Sequence, residues 1–268
     1  MKKIMFFDID GTLVPEDGSS GVPESTVRAL RLARKAGSVL CVSTGRPAVN
    51  VGGDITGLGF DAYIYGCGTH IVCGGREVYY RTVDRQLCLD IVKLLRECGT
   101  VPMFERRDGV FFDFKMPQTP MIQDIRAGFA AQGKDVDRSA EDKDFSFDKF
   151  IISYDASADI PRLRPVIERD FFWIDRGEGF AEIVPRPCSK ATGIETVLAH
   201  FGIPKERSYA VGDSLNDLPM FSAAGTSIAM GNGTRLIPYA DYVTDDIMQD
   251  GIYNAMEHFG FFEAEEGL

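Results

Sequence analysis

Two aspartates stand two residues apart near the start of the chain, in the stretch "FFDIDGTLV" from Phe6 to Val14. The stretch is mostly apolar and reads as a buried strand, yet Asp8 and Asp10 interrupt it and Gly11 and Thr12 follow at once. Burying a carboxylate is costly unless something pairs with it. Further polar groups close other apolar runs, Ser43, Thr44 and Arg46 in "STGRP" and Asp213, Asn216 and Asp217 in "GDSLNDLPM", while Lys190 in "CSKATG" opens a helix. Their types suit one job. Carboxylates without a basic neighbour in sequence suit a hard cation, and Mg²⁺ takes few carboxylates together with water and substrate oxygens. Lys190, Arg46 and the hydroxyls of Ser43 and Thr44 suit phosphate oxygens. One carboxylate can attack phosphorus and form an aspartyl-phosphate, while a second protonates the leaving group and then deprotonates water. Taken singly, each residue has a plainer explanation. Asp213 suits a cap or a turn, Ser43 and Thr44 suit helix caps, and Lys190 suits a solvated helix start. The pair in "DID" resists that account, because a cap needs only one carboxylate.

The elements that must position these groups follow from the pattern of apolar residues. Residues 4–7, "SVLCVSTG" and "DAYIYG" (61–66) are short strands with continuous apolar runs, and "VPESTVRALRLARKAG" between the first two is a helix with a Val27, Leu30 and Ala33 stripe. Such runs indicate a parallel sheet covered on both faces. After about Arg81 the pattern changes. A helix, a hairpin turning at Asp108-Gly109, a helix at about 119–133, a strand, another helix and a hairpin turning near Gly177–Gly179 read as an α+β unit with an antiparallel sheet. From Pro187 the βα rhythm returns. The expected fold is therefore α/β: a Rossmann-like, doubly wound core built from 1–81 and 187–268, with 82–186 inserted as a second domain. In such a sheet the polar strand ends converge on one edge, where ligands bind.

Bulk composition narrows the alternatives. The 268 residues carry a formal net charge of −11, which argues against a nucleic-acid or anionic-membrane surface. Behind a short positive start the first apolar run is broken at Asp8 and is too short for a signal h-region, and no run reaches membrane-spanning length. Six cysteines lack CxxC spacing and the three histidines are scattered, so a zinc site is not expected. Reduced thiols and a cytoplasmic monomer or homodimer are the expectation.

The order of the motifs resembles the haloacid-dehalogenase-like hydrolase superfamily. "DIDGT" looks like its first motif, "STGR" its second, Lys190 its third and "GDSLND" its fourth. The insertion resembles the large α/β cap of the Cof-type sugar-phosphate phosphatases. The resemblance implies Asp8 as nucleophile, and Asp10 as general acid and base whose carbonyl also ligates Mg²⁺. It implies Asp8, Asp10 and Asp213 as the metal set, and Lys190 as the neutraliser of nucleophile and phosphate charge. Thr44, or Ser43 beside it, would bond the transferring phosphate, with Gly45, Arg46 and Asn216 completing the phosphate pocket. Asp217 would orient Lys190 or a metal-bound water. One stretch departs from the family: Cys67-Gly68-Thr69 stands where relatives often carry Asn-Gly-Ala. The implied function is a Mg²⁺-dependent phosphatase for a small phosphomonoester. The alternatives are a phosphomutase of the phosphomannomutase kind and a catalytically silent phospho-ligand sensor. Specificity would come from the cap, where Phe104, Arg106, Phe112, Phe114 and Trp173 are either core or pocket.

Overall fold

The computed structural model describes residues 2–16 and 20–263, which form two compact units. One unit comprises Met1–Arg46, Asn50–Tyr79 and Ser189–Leu268; the other comprises Tyr80–Cys188 with Pro47–Val49. In chain order the first unit begins with β1 (Ile4–Phe7), α1 (Glu24–Lys35), β2 (Val39–Ser43), the one-turn α2 (Gly53–Thr56), β3 (Ala62–Tyr65), β4 (His70–Cys73) and β5 (Arg76–Tyr80). The second unit contributes α3 (Arg85–Glu97), β6 (Val101–Arg106), β7 (Gly109–Phe112), α4 (Pro120–Ala131), β8 (Lys149–Ser153), α5 (Ile160–Ile167), β9 (Phe171–Gly177) and β10 (Phe180–Pro185). The first unit resumes with α6 (Lys190–Phe201), β11 (Ser208–Gly212), α7 (Leu218–Ala223), β12 (Thr226–Ala229), β13 (Tyr242–Val243) and α8 (Gly251–His258).

Among the described residues the first unit's sheet runs β13-β12-β11-β1-β2-β3-β4-β5. The pairs from β13 to β3 are parallel. All four residues of β1 are wholly buried, as a strand covered on both faces requires. On one face Ile4, Phe6, Cys41, Ile64 and Ala210 pack with Ile194 and Val197 of α6 and Met220 of α7. Helix α1 buries Thr26, Ala29, Leu30 and Ala33, so its inner stripe is rotated from the expected one and Val27 is exposed. The sheet also continues beyond the expected parallel strands. β4 pairs antiparallel with β3, and β5 follows it across Gly74-Gly75. Between Arg46 and β3 the helical structure is limited to a 3-10 turn at Ala48–Asn50 and the four residues of α2.

The second unit's sheet runs β7-β6-β8-β10-β9 and is antiparallel throughout. Helices α3 and α5 cover one face through Ile91, Leu95, Leu163 and Ile167, against Phe104, Phe150 and Ile183. Helix α4 lies on the other, where Ile122 meets Met103, Phe112 and Ile151. Phe104 and Phe112 are thus core residues, whereas Phe114 is exposed. Arg106 is spent on Asp108 and the Asp144 loop. The first hairpin turns at Arg107-Asp108, one residue before the expected place, because Arg106 pairs with Gly109. A buried charged trio crosses the sheet's centre: Lys149 donates to Glu182 at 2.6 Å and pairs with Glu105. No helix among the described residues is long and apolar enough to cross a membrane.

Candidate active site

The sequence delivers its polar residues to one edge of the parallel sheet because each follows directly on a strand or opens a helix. Asp8 extends β1 by one residue, its backbone N–H donating to Val211 O at 3.1 Å, and is only 4% exposed. The chain then folds back on itself. The N–H groups of Thr12, Leu13 and Val14 all reach Ile9 O. Gly11 permits this with a φ of 78°, and its Cα faces Asp213 so closely that a Cβ would lie 2.2 Å from Asp213 Oδ2. A glycine is required here both for the positive φ and for the approach. Asp213 follows β11, and Thr12 Oγ1 donates to its Oδ1 at 3.2 Å.

Lys190 reaches the site from the first position of α6. Ser189 caps that helix reciprocally with Thr192, which fixes where the helix begins. The Lys190 ammonium donates to Asp8 Oδ1 at 2.7 Å and to Asp217 Oδ1 at 2.6 Å, and is 2% exposed. Asp217 Oδ2 accepts the backbone N–H groups of Asp213 and Ser214 at 3.1 and 3.3 Å. Asp8, Asp213 and Asp217 each offer one oxygen within 4.8 Å of the others, so this trio could hold a metal ion.

Charge is out of balance in this group, with three buried carboxylates against one ammonium. Burial, reinforced by Asp217, pushes Asp8 up to about 7 in spite of Lys190. Burial, reinforced by Asp8 and Asp217, pushes Asp213 up to about 8. Burial opposes the Lys190 charge, but Asp217 and Asp8 outweigh it and the ammonium is held protonated well above its usual range. A divalent cation fits the deficit that remains, since hard cations take carboxylate oxygens.

Asp10 is placed differently. Its carboxylate takes a two-pronged contact from Arg46, with Nε donating to Oδ2 at 2.9 Å and Nη2 paired with Oδ1. Both side chains are about one-third to two-fifths exposed, at 34% and 41%. The acidic trio therefore contains Asp217 and not the Asp10 carboxylate. Thr44 Oγ1 accepts the Arg46 N–H at 3.1 Å, across Gly45, and Thr44 is almost wholly buried. Ser43 is fully buried, and its hydroxyl has no hydrogen-bond partner among the described residues. Asn216 bonds to Ser214 within its own turn. Cys67, in the stretch that departs from the family pattern, adopts a φ of 53° and donates its N–H to Thr44 O at 3.0 Å.

Thr12 and Asn232 belong to this edge without having been expected there. Thr12 stands inside "DIDGT" and Asn232 inside "AMGNG", so the only available signals were a hydroxyl after the acidic pair and a polar residue between glycines.

A model of the haloacid dehalogenase-like hydrolase family matches residues 5–256. A putative phosphatase, YkrA, of Bacillus subtilis (strain 168) is 26% identical over 262 residues, covering 97% of this chain and 99% of its own. An HMP-PP phosphatase of Yersinia pseudotuberculosis serotype I is 26% identical over 235 residues, covering 87% and 85%. Among solved structures, the subclass IIB sugar phosphatase BT4131 superposes with a TM-score of 0.81 at 26% identity, covering 97% of this chain and 100% of its own. The phosphatase BT1666 from Bacteroides thetaiotaomicron gives 0.83 at 25%, covering 98% and 96%. The chain belongs to the haloacid dehalogenase-like hydrolase family, in its Cof-type branch, where it stands among phosphatases.

Proposed function

We propose that the chain hydrolyses a small phosphomonoester through an aspartyl-phosphate formed on Asp8, with Mg²⁺ held at Asp8 and Asp213 and at the Asp10 carbonyl. The observation that carries this reading is the buried Lys190 ammonium bridging Asp8 and Asp217 beside a third carboxylate. Mg²⁺, when bound, supplies positive charge to the transferring phosphoryl group.

The residues then divide the work. Asp8 attacks phosphorus; the new bond joins a carboxylate oxygen to phosphorus as the ester P–O bond breaks. Asp10 gives its proton to the departing alkoxide. In the second half Asp10 takes a proton from water, the water oxygen attacks phosphorus, and the Asp8 carboxylate leaves. One of the two Arg46 contacts to Asp10 has to give way for that proton to move. Lys190 balances the negative charge on Asp8 and the phosphate oxygens, and Asp217 holds Lys190 in place. Thr44, with Ser43, Gly45, Arg46 and Asn216, receives the phosphate oxygens. The inserted unit serves as the cap that excludes water and selects the substrate. All six cysteines lie outside disulfides, which suits a reducing cytoplasm.

The test is a Mg²⁺-dependent phosphate-release screen over sugar phosphates, nucleotides, flavin mononucleotide and pyridoxal phosphate. Asp8→Asn should abolish turnover while the protein still folds; retained turnover rules out the aspartyl-phosphate route. Isomerised sugar phosphate in place of free phosphate would identify a mutase instead.

A further inference from the structure

We propose that Asn232 is a positioning residue that sets the affinity of the acidic edge for its cation. The inference rests on the reading that Asp213 helps to hold a divalent ion. Lys190 locates Asp8 and Asp217 by direct hydrogen bonds, whereas the hydrogen bond described at the Asp213 carboxylate comes from Thr12. The Asp213 backbone N–H is held by Asp217 Oδ2 at 3.1 Å, and the carboxylate is otherwise placed by packing. Gly11 closes on its carboxylate, and on its backbone side a Cβ at Gly233 would lie 2.5 Å from Asp213 O. The direction of the Asp213 carboxylate thus depends on the positions of the two loops that enclose it.

Asn232 ties those loops together. Its Nδ2 donates to Gly11 O at 2.8 Å, and its Oδ1 accepts the Ile247 N–H at 3.2 Å. One amide therefore joins the loop after β1, the loop after β12 and the loop after β13. Its own loop is anchored to the Asp213 strand as well, since Met230 N–H donates to Gly212 O at 2.9 Å, and again to the loop after β13, where Gly231 N–H donates to Asp245 O at 3.1 Å. Both ends of the amide are engaged in these contacts, so Asn232 acts on the ion through Gly11, Thr12 and Asp213 and is not itself a ligand. The residue is exposed, and its removal deletes little packing. Groups that orient ligands in this way typically change metal affinity by about 10–100-fold when removed.

The experiment compares the wild type with Asn232→Ala and Asn232→Asp. The aspartate keeps the acceptor for Ile247 N–H but cannot donate to the Gly11 carbonyl. Melting temperature is recorded in EDTA and across a Mg²⁺ titration, alongside phosphatase activity. Both variants should fold in EDTA like the wild type. The Mg²⁺ concentration at half-maximal thermal shift should rise by about 10–100-fold. Excess Mg²⁺ should restore kcat close to the wild-type value. A wild type with no thermal response to Mg²⁺ would sink the underlying metal reading, and the proposal with it. A responsive wild type with unchanged midpoints in both variants, or a kcat loss that excess Mg²⁺ does not recover, would overturn the role of Asn232 alone.

Discussion

Lys190 Nζ lies 2.7 Å from Asp8 Oδ1 in a pair whose side chains are 2% and 6% exposed. Removing one partner of a buried ion pair leaves an uncompensated charge. Lys190→Met strands Asp8 and Asp217 together, and the metal-free protein should lose about 3–5 kcal/mol of stability in urea denaturation. In the presence of Mg²⁺, kcat should fall by about 10²–10³-fold, the range for losing one preorganised charge-stabilising group. A variant with near-normal kcat would remove Lys190 from the mechanism.

The metal and pH are linked through the same carboxylates. Asp8 and Asp213 titrate at about 7 and about 8 in the metal-free fold, both above the ordinary carboxylate range. A raised folded-state pKa stabilises the fold at low pH and ceases to do so as pH climbs through that value. The melting temperature in EDTA should therefore fall as pH rises from about 4, the ordinary carboxylate value, to about 8, and then level off. Mg²⁺ takes the place of the lost protons, so its stabilising shift should grow over the same interval. A shift that is flat or shrinks with pH contradicts this linkage.

Arg46 and Asp10 should separate activity from stability. Their pair is partly exposed, and such pairs contribute only about 0–1 kcal/mol. Arg46→Lys loses the two-pronged geometry, so kcat should drop while the melting temperature barely moves. Asp10→Asn should reduce kcat by about 10²–10⁴-fold, the usual effect of a lost general acid–base, again with an intact melting curve. A large stability loss in either variant would mark the pair as structural.

Lys149 offers the contrasting case, in which stability is the main readout. It bridges Glu105 and Glu182 with all three side chains under 10% exposed. Lys149→Met leaves two buried carboxylates and should cost about 3–5 kcal/mol. Replacing the trio with apolar residues of similar volume should recover most of that loss. Denaturant unfolding of the full chain measures both.

Much of the core was legible because burial imposes a simple pattern. β1, β2, β3 and β11 are short and covered on both faces, so they read as unbroken apolar runs. The start of α6 was legible in Lys190 as a lysine that opens a helix, whereas its cap by Ser189 and Thr192 shows only in the fold. β4 and β5 were missed because the Gly74-Gly75 turn lies between runs that also contain His70, Arg76 and Glu77, which mask the strand period. The Asp10–Arg46 pair and the Lys149 trio were not legible, because they join residues 36 and 33 or more positions apart through tertiary folding alone. Asn232 was hidden for the same reason, its bond to Gly11 spanning 221 positions.

The place of β1 between β2 and β11 also orders the assembly of the chain. One edge of β1 has no partner until Ser208–Gly212 is available, after the whole of Tyr80–Cys188 has been made. The inserted unit is nearly continuous in sequence and carries its own two apolar clusters. It can close while β1 is still half-paired, because local contacts form ahead of distant ones. In pulse-labelled refolding, amides of β6, β8 and β10 should gain protection before those of β1 and β11. The sheet edge that carries Asp8 and Asp213 should then be the last part of the molecule to form, set in place only when the two ends of the chain meet.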